Sequence, residues 1–163
     1  MSLGVTPEDQ PTLRVENLRT YFHTRAGAVK AVDDVSFSVA AGKVLGLVGE
    51  SGSGKSVTGF SIIGLVDPPG RIVGGKVLFK GEDLVGAGEE RLRALRGDRI
   101  AMIFQDPMMT LNPVLRIDTQ MVEAIQAHDP GVDRRAALAR AREALGRVGI
   151  YRDVSREEVE RCL

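Results

Sequence analysis

The sequence predicts an α/β fold: a strand-rich N-terminal part, a central strand–loop–helix unit and an α-helical C-terminal part. Three observations carry that expectation. Leu13 to Leu18 and Val29 to Val39 alternate apolar and polar residues, the period-2 pattern of half-buried strands. Lys43-Val44-Leu45-Gly46-Leu47-Val48 is a short, nearly continuous apolar run leading into glycines, as in a strand buried on both faces and followed by a tight loop. Leu138, Ala141, Leu145 and Val148 recur at spacings of three and four, the apolar stripe of a helix with arginines around it.

Composition bounds what such a fold can be. With 163 residues, 43% hydrophobic and 27% charged, the chain has the balance of one soluble globular domain. A formal net charge of zero gives no field directed at nucleic acid or an anionic membrane. The single cysteine, Cys162, cannot form an internal disulfide and no metal-ligand spacing is present, which fits a reducing, cytosolic compartment. Met1 to Pro11 lacks the basic start and apolar core of a signal peptide, and the longest apolar stretch, Phe60 to Val66, is far too short to span a bilayer. Direct membrane insertion is therefore not expected, and any link to a membrane runs through a partner.

Taken in order, residues 1–11 read as a polar, mobile lead-in and residues 12–163 as the folded part. Leu13–Leu18 and Val29–Val39 are strands, the second with Val35, Phe37 and Val39 on one face. Ala41-Gly42 turns the chain into the Lys43–Val48 strand. A helix is expected from Lys55 to about Val66, ended by Asp67-Pro68-Pro69-Gly70. Gly75–Lys80 is a further strand, Glu89–Arg96 a short charged helix, and Ile100–Phe104 a second apolar strand. Asp106-Pro107 and Asn112-Pro113 punctuate a loop. Helices follow from about Ile117 to His128 and from Asp133, a natural N-cap after Pro130-Gly131.

The chemistry concentrates in Gly49-Glu50-Ser51-Gly52-Ser53-Gly54-Lys55-Ser56, which matches G-x-x-x-x-G-K-[ST] at every fixed position, after a strand and before a helix. Glycines let consecutive backbone N–H groups turn inward as a cradle for phosphate oxygens. The helix N-terminus adds its positive dipole end. Lys55 is placed to reach the β- and γ-phosphates and the Ser56 hydroxyl to coordinate Mg²⁺, so ATP with Mg²⁺ is the expected ligand. Asp83-Leu84-Val85-Gly86 also matches the D-x-x-G used by GTPases, but no Asn-Lys-x-Asp base-reading motif occurs. A GTPase or P-loop kinase is thus the weaker alternative, with Asp83 read as a turn residue.

Ile100-Ala101-Met102-Ile103-Phe104-Gln105-Asp106 admits two readings: Asp106 as an acidic metal-holding strand end, or Gln105 itself at the strand end within reach of the metal. Gly49 to Ser56 together with Phe104-Gln105-Asp106-Pro107 resembles the ATP-binding subunits of ABC transporters. Leu18 to Arg25, Val48 to Val57 and Ile100 to Pro113 are similar to the oligopeptide/dipeptide branch, with nickel importers within it, and the resemblance runs from about Leu13 to Ile150. It implies the N-terminal half of a P-loop NTPase of the ABC type: an antiparallel β subdomain, the P-loop strand–helix unit, and part of an α-helical subdomain from about residue 114. It further implies that Gly49 through Ser56 cradle the triphosphate with Val57 continuing the helix, that Gln105 is the Q-loop residue touching Mg²⁺ or the attacking water, and that Tyr21 or Phe22 stacks on adenine. Lys55 and Gln105 would be the catalytic residues, Ser56 and Gln105 the metal contacts. The loop from Asp106 to Pro113 and the helices after it would dock on integral-membrane permease subunits, and a second ATP-binding subunit would complete a homo- or heterodimer. The location implied is cytoplasmic and peripheral, on the inner face of the cell membrane.

Two departures accompany the resemblance. Ile117-Asp118-Thr119-Gln120 stands where a Gly-Glu-Gln is common in the branch. The signature loop, the acidic Walker B strand with its glutamate and the switch histidine do not occur, and His23 and His128 lie in the wrong places to serve. The resemblance therefore implies ATP hydrolysis powering peptide import for a complete subunit. For these 163 residues it implies weak ATP binding, negligible turnover, and marginal stability or self-association of a P-loop strand lacking neighbours. A truncated, non-catalytic nucleotide-binding or permease-docking fragment is the alternative.

Overall fold

In the computed structural model, residues 11–104 and 111–150 are described. Most of the lead-in, Gln105 with the following loop as far as Thr110, and the chain end around Cys162 lie outside the described residues. The chain divides between Ile100 and Ala101 into two compact units.

The first unit is built on an antiparallel sheet of four strands, β1 (Leu13–Thr24), β2 (Gly27–Val39), β3 (Gly70–Phe79) and β4 (Glu82–Asp83), in the order β2-β1-β3-β4. β1 spans 12 residues, twice the Leu13–Leu18 stretch that simple alternation predicts, because the alternation is reset inside the strand. Val15, Leu18 and Thr20 are the buried residues of β1, so two residues rather than one separate the first pair. Asn17 makes the adjustment with φ 47°, and Asp34 does the same in β2 with φ 65°. These are bulges, and Asn and Asp are the non-glycine residues that tolerate left-handed backbone. They hold each other: Asn17 Nδ2 and Arg19 Nη2 both donate to Asp34 Oδ1 at 3.1 Å, and Asn17 N donates to Ser36 Oγ at 2.8 Å. Strict alternation would have turned Asn17 toward the core; the bulge turns Leu18 there instead.

Two helices complete this unit, α1 (Lys55–Ile62) and α2 (Glu89–Leu95). The core joins Val15, Leu18, Val32, Val77, Leu84 and Leu95, with Val57, Ile62, Leu92 and Ile100 packed against it. α1 is seated by a buried polar contact as well, since Thr20 Oγ1 and Ser61 Oγ share a 2.8 Å hydrogen bond while Ser61 Oγ also donates to Val57 O at 2.7 Å. Ser61→Ala is expected to cost about 1–3 kcal/mol by leaving the Thr20 hydroxyl buried and unpaired. Thr20→Val added to it is expected to recover much of that loss. A urea-denaturation double-mutant cycle measures this, and a double variant no more stable than Ser61→Ala would contradict it.

Three expectations are corrected. Lys43–Val48 forms no strand among the described residues: Val44 and Val48 are 99% and 94% exposed. Ile100–Phe104 likewise contributes only a bridge from Ile100 to Arg96, and Ile103 is 96% exposed. The reason is common to both. A strand exists only as half of a ladder, and among the described residues neither segment is paired in one beyond that bridge. α1 stops at Ile62 rather than near Val66 because Gly64 adopts φ 66° and Leu65 N bonds back to Phe60 O at 2.8 Å, closing the helix in a Schellman-type end.

The second unit contains α3 (Ile117–His128) and α4 (Arg134–Arg147), which pack against each other. Asp133 caps α4 as expected, accepting from Ala136 N at 2.7 Å. The buried stripe of α4 runs through Ala137 and Ala141, with Leu138 and Leu145 half-buried; Val148, expected in the stripe, is 69% exposed because the helix has ended before it. Asp118, nearly buried at the start of α3, gathers Arg116 Nε at 3.2 Å, Thr119 N at 2.7 Å and Arg134 Nη2 at 3.6 Å, tying the two helix starts together. Burial pushes the Asp118 carboxyl up, but the hydrogen bonds from Arg116 and Thr119 and the Arg116 charge outweigh it and hold the group below its ordinary value. A depressed folded pKa means stability present above the unfolded value of ~4 and lost as pH falls through the folded one. The melting-temperature gap between the wild type and Asp118→Asn is therefore expected to be full at pH 7 and to shrink as pH drops below about 4. A gap unchanged by acid would rule out this role.

Candidate functional site

The loop from Gly49 to Gly54 is the entrance to α1, and its position is set by contact with the sheet. Gly54 is the N-cap, with φ 88°, and a Cβ built on it would lie 2.1 Å from Ala31 O and 3.7 Å from Val32 Cγ2. Only glycine lets the loop press this closely on β2 in that conformation. From there the first intrahelical bonds run from Thr58 N to Gly54 O at 2.8 Å and from Thr58 Oγ1 to the same carbonyl at 2.9 Å. The N–H groups of Lys55, Ser56 and Val57 precede that first bond. No side chain caps them and no acidic residue stands in the first turn. A helix start of this kind carries unsatisfied donors and the positive end of the dipole.

Lys55 closes the loop. Its Nζ donates to Gly49 O at 2.7 Å, Glu50 O at 2.6 Å and Ser53 Oγ at 3.2 Å. Ser53 N donates to Glu50 O at 3.2 Å, so the loop turns back over the ammonium. Ser51, Gly52, Ser53 and Ser56 are exposed, while Gly54, Lys55 and Val57 are half-buried. The residues present thus fit a triphosphate: an ammonium, three uncapped N–H groups and an exposed hydroxyl at Ser56, with no carboxylate side chain bonded to Lys55 among the described residues.

The two candidate aromatics are held differently. Tyr21 Oη donates to Asp33 Oδ1 at 2.6 Å, Lys30 Nζ donates to Asp33 Oδ2 at 3.1 Å, and the same ammonium stands 5.4 Å above the Tyr21 ring. The hydrogen bond to Asp33 raises the Tyr21 phenol, and the bonds from Tyr21 and Lys30 lower the Asp33 carboxyl. Phe22, on the opposite strand face and so on the face of Thr20, is half-buried, its ring edge crowding Gly70 together with Val66. Gln105 lies outside the described residues. Asp83, expected in a turn, instead ends β4, and its carboxylate accepts from Val85 N at 3.1 Å and Val77 N at 3.3 Å. His128 is exposed at the end of α3.

Two polar residues that pattern reading passes over prove to shape these regions. Arg96 Nε donates to Ile63 O at 2.8 Å and Nη2 to Gly64 O at 2.9 Å, satisfying carbonyls at the end of α1, while Nη1 pairs with Glu89 at 2.6 Å. That pairing lowers the Glu89 carboxyl. In the second unit, Gln120 accepts from Asn112 N at 2.9 Å and donates to Asn112 O at 3.0 Å and Leu115 O at 2.9 Å, clipping the segment before α3. The charged run Glu89–Arg96 offered a faint signal for the first; nothing local marked the second.

Comparison with known proteins matches residues 32–161 to the family described as ABC transporter. A peptide import ATP-binding protein of Brucella abortus is 51% identical over 148 residues, 91% of this chain and 44% of that protein. Dipeptide transport ATP-binding proteins of Lactococcus lactis and Escherichia coli are 45% and 44% identical over 87% and 90% of this chain, covering 41% and 45% of their own lengths. The chain therefore spans less than half the length of these curated relatives. A solved dimeric bacterial ABC transporter cassette superposes with a TM-score of 0.71 at 21% identity, over 82% of this chain and 56% of that one, which supports the fold.

Proposed function

Because this chain belongs to the ABC transporter family, we propose that Gly49–Ser56 binds Mg·ATP and that the chain is the N-terminal portion of an ATPase subunit powering peptide import. The observation that carries the reading is the closed loop itself: a lysine ammonium drawn to 2.6–2.7 Å of two loop carbonyls beside an uncapped helix start. Such a site concentrates positive potential where phosphate oxygens would sit. Backbone N–H groups from Gly52 to Val57 would hold the phosphates, Lys55 would neutralise the far end, and Ser56 would take a place on Mg²⁺. Gln105 would complete the metal and water contacts. For the base, Phe22 is favoured over Tyr21, because Tyr21 already has its hydroxyl on Asp33 and a cation over its ring. Mg²⁺ supplies charge neutralisation of the phosphates when bound.

The names of the relatives support a peptide as the transported solute, with integral-membrane permease subunits and a second ATP-binding subunit as partners. No helix among the described residues is long and apolar enough to cross a membrane. Attachment is thus proposed to be peripheral, on the cytoplasmic face, through those permease subunits.

Titration with Mg·ATP, followed by amide NMR, is expected to shift Gly52, Gly54 and Lys55, with Mg·GTP competing poorly. Signals that stay in place at millimolar nucleotide would overturn the reading.

A further inference from the structure

Lys55 has three ammonium hydrogens, and three oxygens of its own loop lie within hydrogen-bond distance of them. A phosphate oxygen gains one of these hydrogens only if one acceptor gives it up. The three acceptors are unequal. Gly49 O and Glu50 O are backbone carbonyls at 2.7 and 2.6 Å, short charge-assisted bonds whose release requires the loop to refold. Ser53 Oγ is at 3.2 Å on an exposed side chain that a single χ1 rotation moves away. The same hydroxyl lies folded over the mouth of the loop: a Cβ built on Gly49 would stand 2.5 Å from it, so the absence of a side chain at Gly49 is what admits it.

We propose that Ser53 is a positioning residue for Lys55, its hydroxyl holding the third ammonium hydrogen and yielding it by rotation to a phosphate oxygen. This rests on the reading of the loop as a nucleotide site. The hydroxyl competes with the ligand, so its removal strengthens binding. Neither a phosphate-contacting serine nor a merely structural one would behave so.

The test uses the full chain and isothermal titration with Mg·ATP. Ser53→Ala is expected to bind about two- to tenfold more tightly, the fold-change corresponding to one net hydrogen bond. Ser53→Cys keeps the volume with a poor acceptor and is expected to follow it. Ser53→Thr restores the hydroxyl and is expected to return to wild-type affinity. Independently of nucleotide, the Lys55 ammonium ¹H–¹⁵N signal, assigned by its loss in Lys55→Arg, is expected to exchange faster in Ser53→Ala. Alanine and cysteine variants that bind equally or more weakly than wild type, or an ammonium signal indifferent to Ser53→Ala, would overturn the proposal. A wild-type chain that fails to bind Mg·ATP while its ammonium signal still responds to Ser53→Ala would instead overturn the nucleotide reading.

Discussion

Lys55→Ala is expected to weaken Mg·ATP binding by about ten- to a hundredfold with little loss of stability. A charge-assisted hydrogen bond to a phosphate contributes roughly 1.5–3 kcal/mol, and ~1.4 kcal/mol is tenfold in affinity. The fold has little at stake in the ammonium, because all three of its acceptors belong to Gly49, Glu50 and Ser53 of the exposed loop. Isothermal titration and a thermal melt on the same preparation separate the two effects. An affinity reduced less than threefold would mean that the ammonium does not meet the phosphates. Lys55→Arg is expected to be nearly as weak, since the planar guanidinium cannot reproduce a compact donor reaching three acceptors.

Gly54→Ala is expected to damage both fold and site. Left-handed backbone at φ 88° costs an alanine about 1–2 kcal/mol, and the new methyl would sit 2.1 Å from Ala31 O, a backbone atom of β2 that cannot swing aside. Overpacking of this kind adds about 1–3 kcal/mol. A loss of about 2–5 kcal/mol in urea denaturation is therefore expected. The affinity for Mg·ATP should fall with it, because the loop must lift from the sheet and carry the first turn of α1 along. Gly52→Ala is the comparison: it shares a positive φ, but a Cβ there meets nothing within 4 Å, so only the conformational part of the cost is expected. Equal stability losses in the two variants would show that contact with Ala31 does not seat the loop.

The difference between these glycines illustrates which features a reader of the sequence reaches. The motif locates the loop, the lysine and the helix start, because each is a local matter of glycine freedom and residue spacing. α3 lies at the predicted bounds, Ile117–His128, and Asp133 caps α4, again through neighbouring residues. The reason Gly54 cannot be replaced is a strand carbonyl 23 positions earlier in the chain, and no pattern around residue 54 contains it. Arg96 is the same case: its guanidinium satisfies carbonyls at Ile63 and Gly64, 33 and 32 residues away. Composition presents it merely as one more charge in Glu89–Arg96.

The strands draw the line most sharply. Alternation identifies β1 and β2 but not their bulges, because whether Asn17 and Asp34 take left-handed backbone depends on the bonds they make to each other and to Ser36 and Arg19 across the sheet. Lys43–Val48 has the composition of a buried strand, yet a ladder requires a second segment and burial requires something to cover it. Local order thus follows from local residues: the phosphate-type loop, the Asp133-capped start of α4, and the chemistry Lys55 and Ser56 can offer. Contacts between segments far apart in the chain decide the rest: how close the loop sits to the sheet, where the sheet bends, which end of α1 is sealed by Arg96, and which apolar runs become strands. The energies that settle those questions belong to pairs of residues that the linear order keeps apart.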